Sequence, residues 1–205
     1  MDTNINNKLE IIGEIISEPT FSHESHAEEF YKFQLKSPRL SESYDILEAI
    51  SEKSIIDGFS KDDVVHITGE FRSFNNYSGE GSKLVLTIFV NEMIYASKEE
   101  CMSSVNNLEL NAFLCKKPIY RKTPFGREIT DLLLAVNRKF NKSDYIPAIA
   151  WGRNARLTAK LEIGAHIRAN GRIQSRNYKK KIGEELYEDR VAYEYSISNL
   201  EVLEE

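Results

Sequence analysis

The chain repeats itself at a domain-sized spacing, and that repeat limits what it can fold into. NKLEIIGEIISEP ends at Pro19 and NNLELNAFLCKKP ends at Pro118, 99 residues further on. At this displacement Leu9 meets Leu108, Glu10 meets Glu109, Ile11 meets Leu110 and Ile15 meets Leu114. FYKFQLKSPR (30–39) overlies ITDLLLAVNR (129–138) without a change of displacement, ending in Arg39 and Arg138. Later HITGEFRSFNNY (66–77) resembles IRANGRIQSRNY (167–178), with Gly69 on Gly171 and Ser73 on Ser175. Solenoid repeats have periods of roughly 20–50 residues, so this longer period reads as two copies of one fold. The expected division is 1–96, a linker over 97–105 within the polar stretch YASKEECMSSVNN, and 106–205.

Each copy carries the same succession of elements. In the second, LELNAFLC (108–115), EITDLLLAV (128–136), YIPAIAW (145–151), HIRANGRIQSRNY (166–178) and LYEDRVAYEYSISNLEVL (186–203) hold β-favouring runs of period two. A helical stretch over 153–163, ending at Gly164, separates the third and fourth strands. The first copy places a helix over 48–59 before VVHITGEF. The fold class expected is all-β with one short helix per domain, in two tandem OB-folds, each a five-stranded Greek-key barrel. That fold serves oligonucleotide, oligosaccharide and protein binding, so it narrows function without deciding it.

The outer faces of the second copy are more specific. Alternation along 145–151 places Tyr145 and Trp151 on one face, opposite Ile146, Ala148 and Ala150. Along the fourth strand Arg172, Gln174, Arg176 and Tyr178 share a face, opposite Gly171, Ile173, Ser175 and Asn177. Rings interleaved with guanidinium groups suit unpaired nucleotides, because rings stack on bases and cations neutralise phosphates. No recognition helix fitted to a duplex groove is evident.

The motifs LAVNR, WG before a short helix, and GRIQSRNY, spread across 106–203, resemble the bacterial-type single-stranded DNA-binding protein (SSB) family. The resemblance implies that Phe140, Tyr145, Trp151 and Tyr178 stack on bases. It also implies that the loop RKTPFGR (121–127) touches the nucleic-acid backbone through Arg121, Lys122 and Arg127. Arg138, Arg153, Arg156, Arg172, Arg176 and Lys179 are further phosphate candidates, Arg172 and Arg176 being supported by strand parity. Phe140 as a loop anchor and Tyr178 as a cover for the barrel are the structural alternatives. The family works with four OB domains, which for a chain of two implies a homodimer. Members usually continue into a flexible tail with an acidic-aromatic tip. This sequence stops at LEVLEE, so tail-mediated recruitment of repair or replication enzymes is not expected.

The two halves differ in charge. The whole chain carries −5, from 27 basic and 32 acidic residues. Residues 1–100 hold 9 basic and 19 acidic residues, a net −10, and residues 101–205 hold 18 and 13, a net +5. At a displacement of 100 on the third strand, from Ile46 on Ile146, Tyr145 corresponds to Asp45 and Trp151 to Ser51. At 102 on the fourth, Arg172 corresponds to Glu70, Arg176 to Phe74 and Tyr178 to Asn76. The first copy is therefore expected to have lost the stacking face and to serve assembly or protein contact, its charge repelling phosphate.

Other signals point away from chemistry. SGEGSK (78–83) lacks phosphate-loop spacing and reads as a hairpin turn. His23 and His26 have no further ligands placed by a motif, so no metal or other cofactor is expected. His66 and His166 lie on predicted strands, and KKK (179–181) reads either as a solvated turn or as a phosphate contact beside the basic strand. Cys101 and Cys115 are too few for a disulfide framework. No catalytic constellation is visible, and the chain reads as a binding module rather than an enzyme. With no apolar span or signal-like start it is expected in the cytoplasm. The function expected is sequence-nonspecific binding and protection of single-stranded DNA during replication, recombination or repair. The alternatives are an OB-based protein-interaction module and a binder of single-stranded RNA.

Overall fold

The computed structural model describes residues 6–76, 83–181 and 186–203. The first barrel comprises β1 (Asn7–Ile15), β2 (Thr20–Ser25), β3 (Glu28–Pro38), β4 (Tyr44–Glu52), α1 (Lys53–Ile56), β5 (Val64–Asn76) and β6 (Lys83–Tyr95). After α2 (Lys98–Met102) come β7 (Asn106–Leu114), β8 (Ile119–Lys122), β9 (Glu128–Arg138), β10 (Lys142–Trp151), α3 (Gly152–Thr158), β11 (His166–Lys181) and β12 (Tyr187–Leu203). A 3₁₀ turn, Lys139–Asn141, joins β9 to β10. The strands form one sheet in the order β2-β3-β4-β6-β5-β1-β7-β11-β12-β10-β9-β8. Pairings β1–β3 and β7–β9 curl each half into a barrel.

The tandem OB architecture agrees with the sequence reading, and the differences are local. Each first hairpin carries a short extra strand, β2 or β8, where five strands were expected. Residues 48–52 belong to β4, leaving only Lys53–Ile56 for α1. Alternate burial of Leu47, Ala49 and Ser51 holds the segment in the sheet despite its helix-favouring Glu and Ala. In the second copy α3 ends at Thr158, and Gly164 lies beyond it with φ +91°, its amide bonded to Leu114 O at 2.8 Å. Helical periodicity continues past the point where the chain must turn back to β11. The SGEGSK turn lies, but for the backbone of Lys83, outside the described residues. Residues 179–181, for which a solvated turn was one reading, are strand, the end of β11 (His166–Lys181).

The barrels are joined edge to edge. β1 pairs antiparallel with β7, from Asn7 opposite Leu110 to Ile11 opposite Asn106. Leu9 stands opposite Leu108, its own repeat equivalent, so the pairing is close to two-fold symmetric. Asn7 and Asn106 flank this joint, both buried. Asn7 Nδ2 donates to Phe71 O at 2.7 Å and its Oδ1 accepts from Phe71 N at 2.9 Å. Asn106 does the same with Ile173, at 2.8 and 3.0 Å. Each amide side chain thus extends a backbone ladder and satisfies two groups that burial would otherwise strand.

The core is continuous through the joint. Ile11, Ile15, Phe33, Leu35, Ile67 and Phe71 fill one barrel, and Leu110, Leu134, Val136, Ile146, Ile173 and Tyr195 the other. Tyr195 is fully buried, its hydroxyl donates to Leu108 O at 3.0 Å, and burial pushes its ionisation well above the ordinary range. Both long hairpins, β5–β6 and β11–β12, carry a bulge, with Asn91 or Ser198 as the extra residue opposite the step into Gly69 or Gly171. A Cβ at Gly171 would lie 2.1 Å from Ser196 O, and one at Gly69 2.2 Å from Phe89 O. Glycine is required by this close approach of backbones.

Candidate nucleic-acid interface

The long hairpins cross from one barrel to the other and define the surface between them. β11 passes along β4, where Asp45 waits fully buried. Its carboxylate accepts from Ser175 N at 2.7 Å, Ser175 Oγ at 3.0 Å, Arg172 Nη2 at 3.0 Å and Arg39 Nε at 2.9 Å. Arg39 Nη2 also donates to Ser175 O at 2.8 Å. The other crossing repeats the plan: Ser73 N donates to Asp144 Oδ1 at 2.7 Å and Tyr145 N to Ser73 Oγ at 2.7 Å. Arg138 Nε lies 2.9 Å from Asp144 Oδ2, an ion contact without hydrogen-bond alignment. Burial raises the Asp144 carboxyl above its usual range, while the Ser73 amide and Arg138 pull it down.

These contacts correct the register read from the sequence. Asp45 is the counterpart of Asp144, so the displacement on this strand is 99 rather than 100. Phe33 opposes Ala49 and Leu132 opposes Ala148, 99 residues apart on both strands. The counterparts of Tyr145 and Trp151 are therefore Ile46 and Glu52. The coincidence of Ile46 with Ile146 misled the alignment, because one residue of slip exchanges the faces of a strand. On β5 and β11 the displacement of 102 stands, since in both hairpins the register shifts at the equivalent glycine.

The outer face of the second barrel carries the predicted aromatics. Trp151 closes β10, half-buried, with Nε1 donating to Ser196 Oγ at 3.1 Å. Across the sheet it opposes Ile129, which opposes Arg121, so ring and guanidinium lie two strands apart in one row. Tyr145, 45% exposed, begins the same face of β10. Phe140 is 91% exposed, with φ 61° in the 3₁₀ turn, a left-handed backbone that bulky residues rarely adopt. Tyr178, 36% exposed, sits far along the β11–β12 hairpin. Tyr145 lies at the crossing with β5, while Tyr178 follows the crossing with β4, so the four rings are spread along a track.

The predicted cations divide into two groups. Arg121 is held by Asp131, Nη2 to Oδ1 at 3.0 Å, and Arg156 by Glu128. Arg138 and Arg172 face the buried Asp144 and Asp45. Arg172 is thus engaged in the joint between barrels, on the face that parity assigned to phosphate. Arg176 lies only loosely, 3.9 Å, from Glu194. Lys122, Arg127, Arg153 and Lys179 are exposed and make no ion pair with a described residue. Lys122 ends β8 and Arg127 closes the turn before β9, where Thr123 N donates to Arg127 O at 2.8 Å. Phe125, at the tip of this turn and 93% exposed, was missed, although the string RKTPFGR already placed an aromatic among cations.

The first barrel differs at the same places. Phe89 stands where the second barrel has Ser196, as the pairings Ile50–Phe89 and Ile149–Ser196 define. The Arg72 guanidinium lies 3.5 Å from the Phe89 ring centroid and is held by Glu70 Oε2 at 2.8 Å. One face of the Phe89 ring is thus covered by the protein's own cation. Among the described residues no group of three or more His, Cys, Asp or Glu side chains could hold a metal. His23 instead stacks on Phe30, ring centroids 4.9 Å apart. No helix among them is long and apolar enough to cross a membrane.

Comparison with known proteins bears on family and fold. Residues 105–203 match the model of the single-strand binding protein family. A protein named single-stranded DNA-binding protein, from Clostridium tetani, is 38% identical over 90 residues, covering 40% of this chain and 62% of that one. Single-stranded DNA-binding protein 3 of Streptococcus agalactiae is 32% identical over 107 residues, covering 49% of this chain and 75% of that one. The chain belongs to the single-strand binding protein family. It spans 62% and 60% of the lengths of the Clostridium tetani and Lactococcus lactis relatives. The wild-type single-stranded DNA-binding protein of Thermus aquaticus shares its fold, with a TM-score of 0.74 at 16% identity over 97% of this chain and 93% of that one. The family match begins at residue 105, so the first barrel joins this fold by its architecture and by the internal repeat.

Proposed function

We propose that the chain binds single-stranded DNA without sequence preference, as a passive binder and not an enzyme, chiefly on the outer face of the second barrel. The observation that carries this reading is Trp151, half-buried and fixed by Ser196, in a row with Arg121 and on the same face of β10 as Tyr145. Lys122, Arg127, Arg153 and Lys179 add cations that make no ion pair with a described residue. Stacking contributes about 1–3 kcal/mol per base and takes any base, because each has a π-face. Family relatives carry names that state the same binding. Barrels over 1–96 and 106–205, a homodimer presenting four barrels, and action in the cytoplasm during replication, recombination or repair complete the reading.

Trp151 is the only tryptophan, so its fluorescence reports on the site directly. Titration with oligo(dT) should quench it at low salt, and the affinity should fall steeply as salt rises. Absence of both quenching and binding would defeat the proposal. Tighter binding of oligo(rU) than of oligo(dT) would move it to RNA.

A further inference from the structure

A cleft of about 400 Å³ opens on the first barrel beside the crossing of β11 over β4, between the β3–β4 turn and α2. Its volume falls within the roughly 300–1,000 Å³ of small-molecule sites, the scale of a nucleotide. Tyr44 and Met102 line it, 53% and 79% exposed, with Lys36, Lys98, Glu14 and Glu42. Lys36 Nζ stands 4.9 Å from the centroid of the Tyr44 ring, a cation beside an aromatic face. Lys36 also lies 3.9 Å from Glu14, a solvent-exposed pair that contributes little and that a phosphate can replace.

Two features connect this cleft to the face of the second barrel. Arg39, on its wall, donates to Ser175 O at 2.8 Å, and Arg176 and Tyr178 follow Ser175 on β11. At about 3.4 Å per residue, Tyr178 is roughly 10 Å along the strand from that contact. The second feature is charge. Within a half of the chain that carries −10, the two lysines of the cleft balance its two glutamates, and Asp45 neutralises Arg39. The lining of the cleft is therefore close to neutral where the basic hairpin crosses the first barrel, with Glu99 and Glu100 of α2 outside that lining.

We infer that this cleft is a second stacking station for single-stranded DNA, which takes a base on Tyr44 and phosphates on Lys36 and Lys98. The strand reaches it after leaving the second barrel over Arg176 and Tyr178. The station is separate from the positions equivalent to Trp151 and Tyr145, which the first barrel has lost. It also makes α2, between the barrels, part of the binding surface through Lys98. The inference rests on the single-stranded DNA reading above, and the experiment separates the two.

The full chain is titrated with oligo(dT) of about 8 nucleotides, within the span of one OB barrel, and of about 30, enough for both. Substituting Tyr44→Ala together with Lys36→Ala should weaken the long oligonucleotide about tenfold and leave the short one within about twofold. Tyr44→Phe, which keeps the ring, should retain the long-oligonucleotide affinity of the native chain. Ultraviolet cross-linking of the long oligonucleotide should give adducts on the peptide containing Tyr44. Equal losses for both lengths, or no loss for the long one, overturn the inference. Adducts on Trp151 and Tyr178 with none on Tyr44 overturn it too, and leave the cleft to a protein partner. If the native chain binds neither length, the DNA reading itself fails.

Discussion

Replacing Asp45 with Ala removes the most heavily bonded side chain between the barrels. The carboxylate is fully buried and holds Arg39 of its own barrel together with Arg172 and Ser175 of the other. Removing one partner of a buried ion pair costs about 3–5 kcal/mol, mostly because the remaining charges are left uncompensated. Here the side chains of Arg39 and Arg172 are 29% and 25% exposed, so water recovers part of the loss. The lower end, about 3 kcal/mol, is the reasonable expectation. That is a large share of the roughly 5–15 kcal/mol that holds a typical protein folded. Asp45→Asn keeps the shape and one acceptor toward Ser175, and should lose about half as much. Urea unfolding followed by Trp151 fluorescence measures both, with the midpoint shifting at constant slope. The same variants release Arg172, so the logarithmic salt slope for oligo(dT) should steepen by up to about 0.7. An Asp45→Ala variant within about 0.5 kcal/mol of the native chain would refute the reasoning, since that is the range of neutral surface changes.

Three further outcomes follow from other parts of the molecule. Gly171→Ala should destabilise the second barrel by about 1–3 kcal/mol or more, because its Cβ would meet Ser196 O at 2.1 Å and the Tyr195 ring at 2.9 Å; thermal unfolding measures it. The Asp144 carboxyl is raised from 3.8 by burial, so it binds its proton more tightly in the folded chain. Its contribution is fully present below pH 3.8 and is lost as pH rises through the folded value. The urea midpoint of the native chain should fall relative to Asp144→Asn across that window and then hold level. Trp151→Ala should weaken oligo(dT) binding by about 1–3 kcal/mol in an anisotropy titration, while Ser196→Ala, which only frees the ring, should cost less.

Much of this was legible in the sequence, through the repeat above all. Period-two burial located the strands, and parity placed Trp151, Tyr145 and Tyr178 on the outer face. The partners of the arginines were harder to read, because Arg172 and Asp45 lie 127 residues apart and meet only when one barrel's hairpin crosses the other. A clue was nevertheless present: Arg39 with Asp45 recurs as Arg138 with Asp144 at one displacement, and Ser73 as Ser175 at another. A carboxylate kept in both copies while the aromatic face is lost from one belongs to the joint rather than to the ligand. The short α1 and α3 escaped for a different reason. Helix-favouring residues such as Glu48 and Leu161 continue the pattern beyond points where the barrel needs strand or turn, and tertiary packing decides.

The central claim places DNA on the second barrel and its contacts on Lys122, Arg127, Arg153 and Lys179, the predicted site cations that make no ion pair with a described residue. Oligo(dT) affinity measured against salt tests it most directly, in the native chain and in a variant with all four changed to Ala. Each phosphate contact on a single strand contributes about 0.7 to the logarithmic slope, so the variant should be shallower by about 2.8 and weaker at every salt concentration. An unchanged slope with undiminished affinity would contradict the claim.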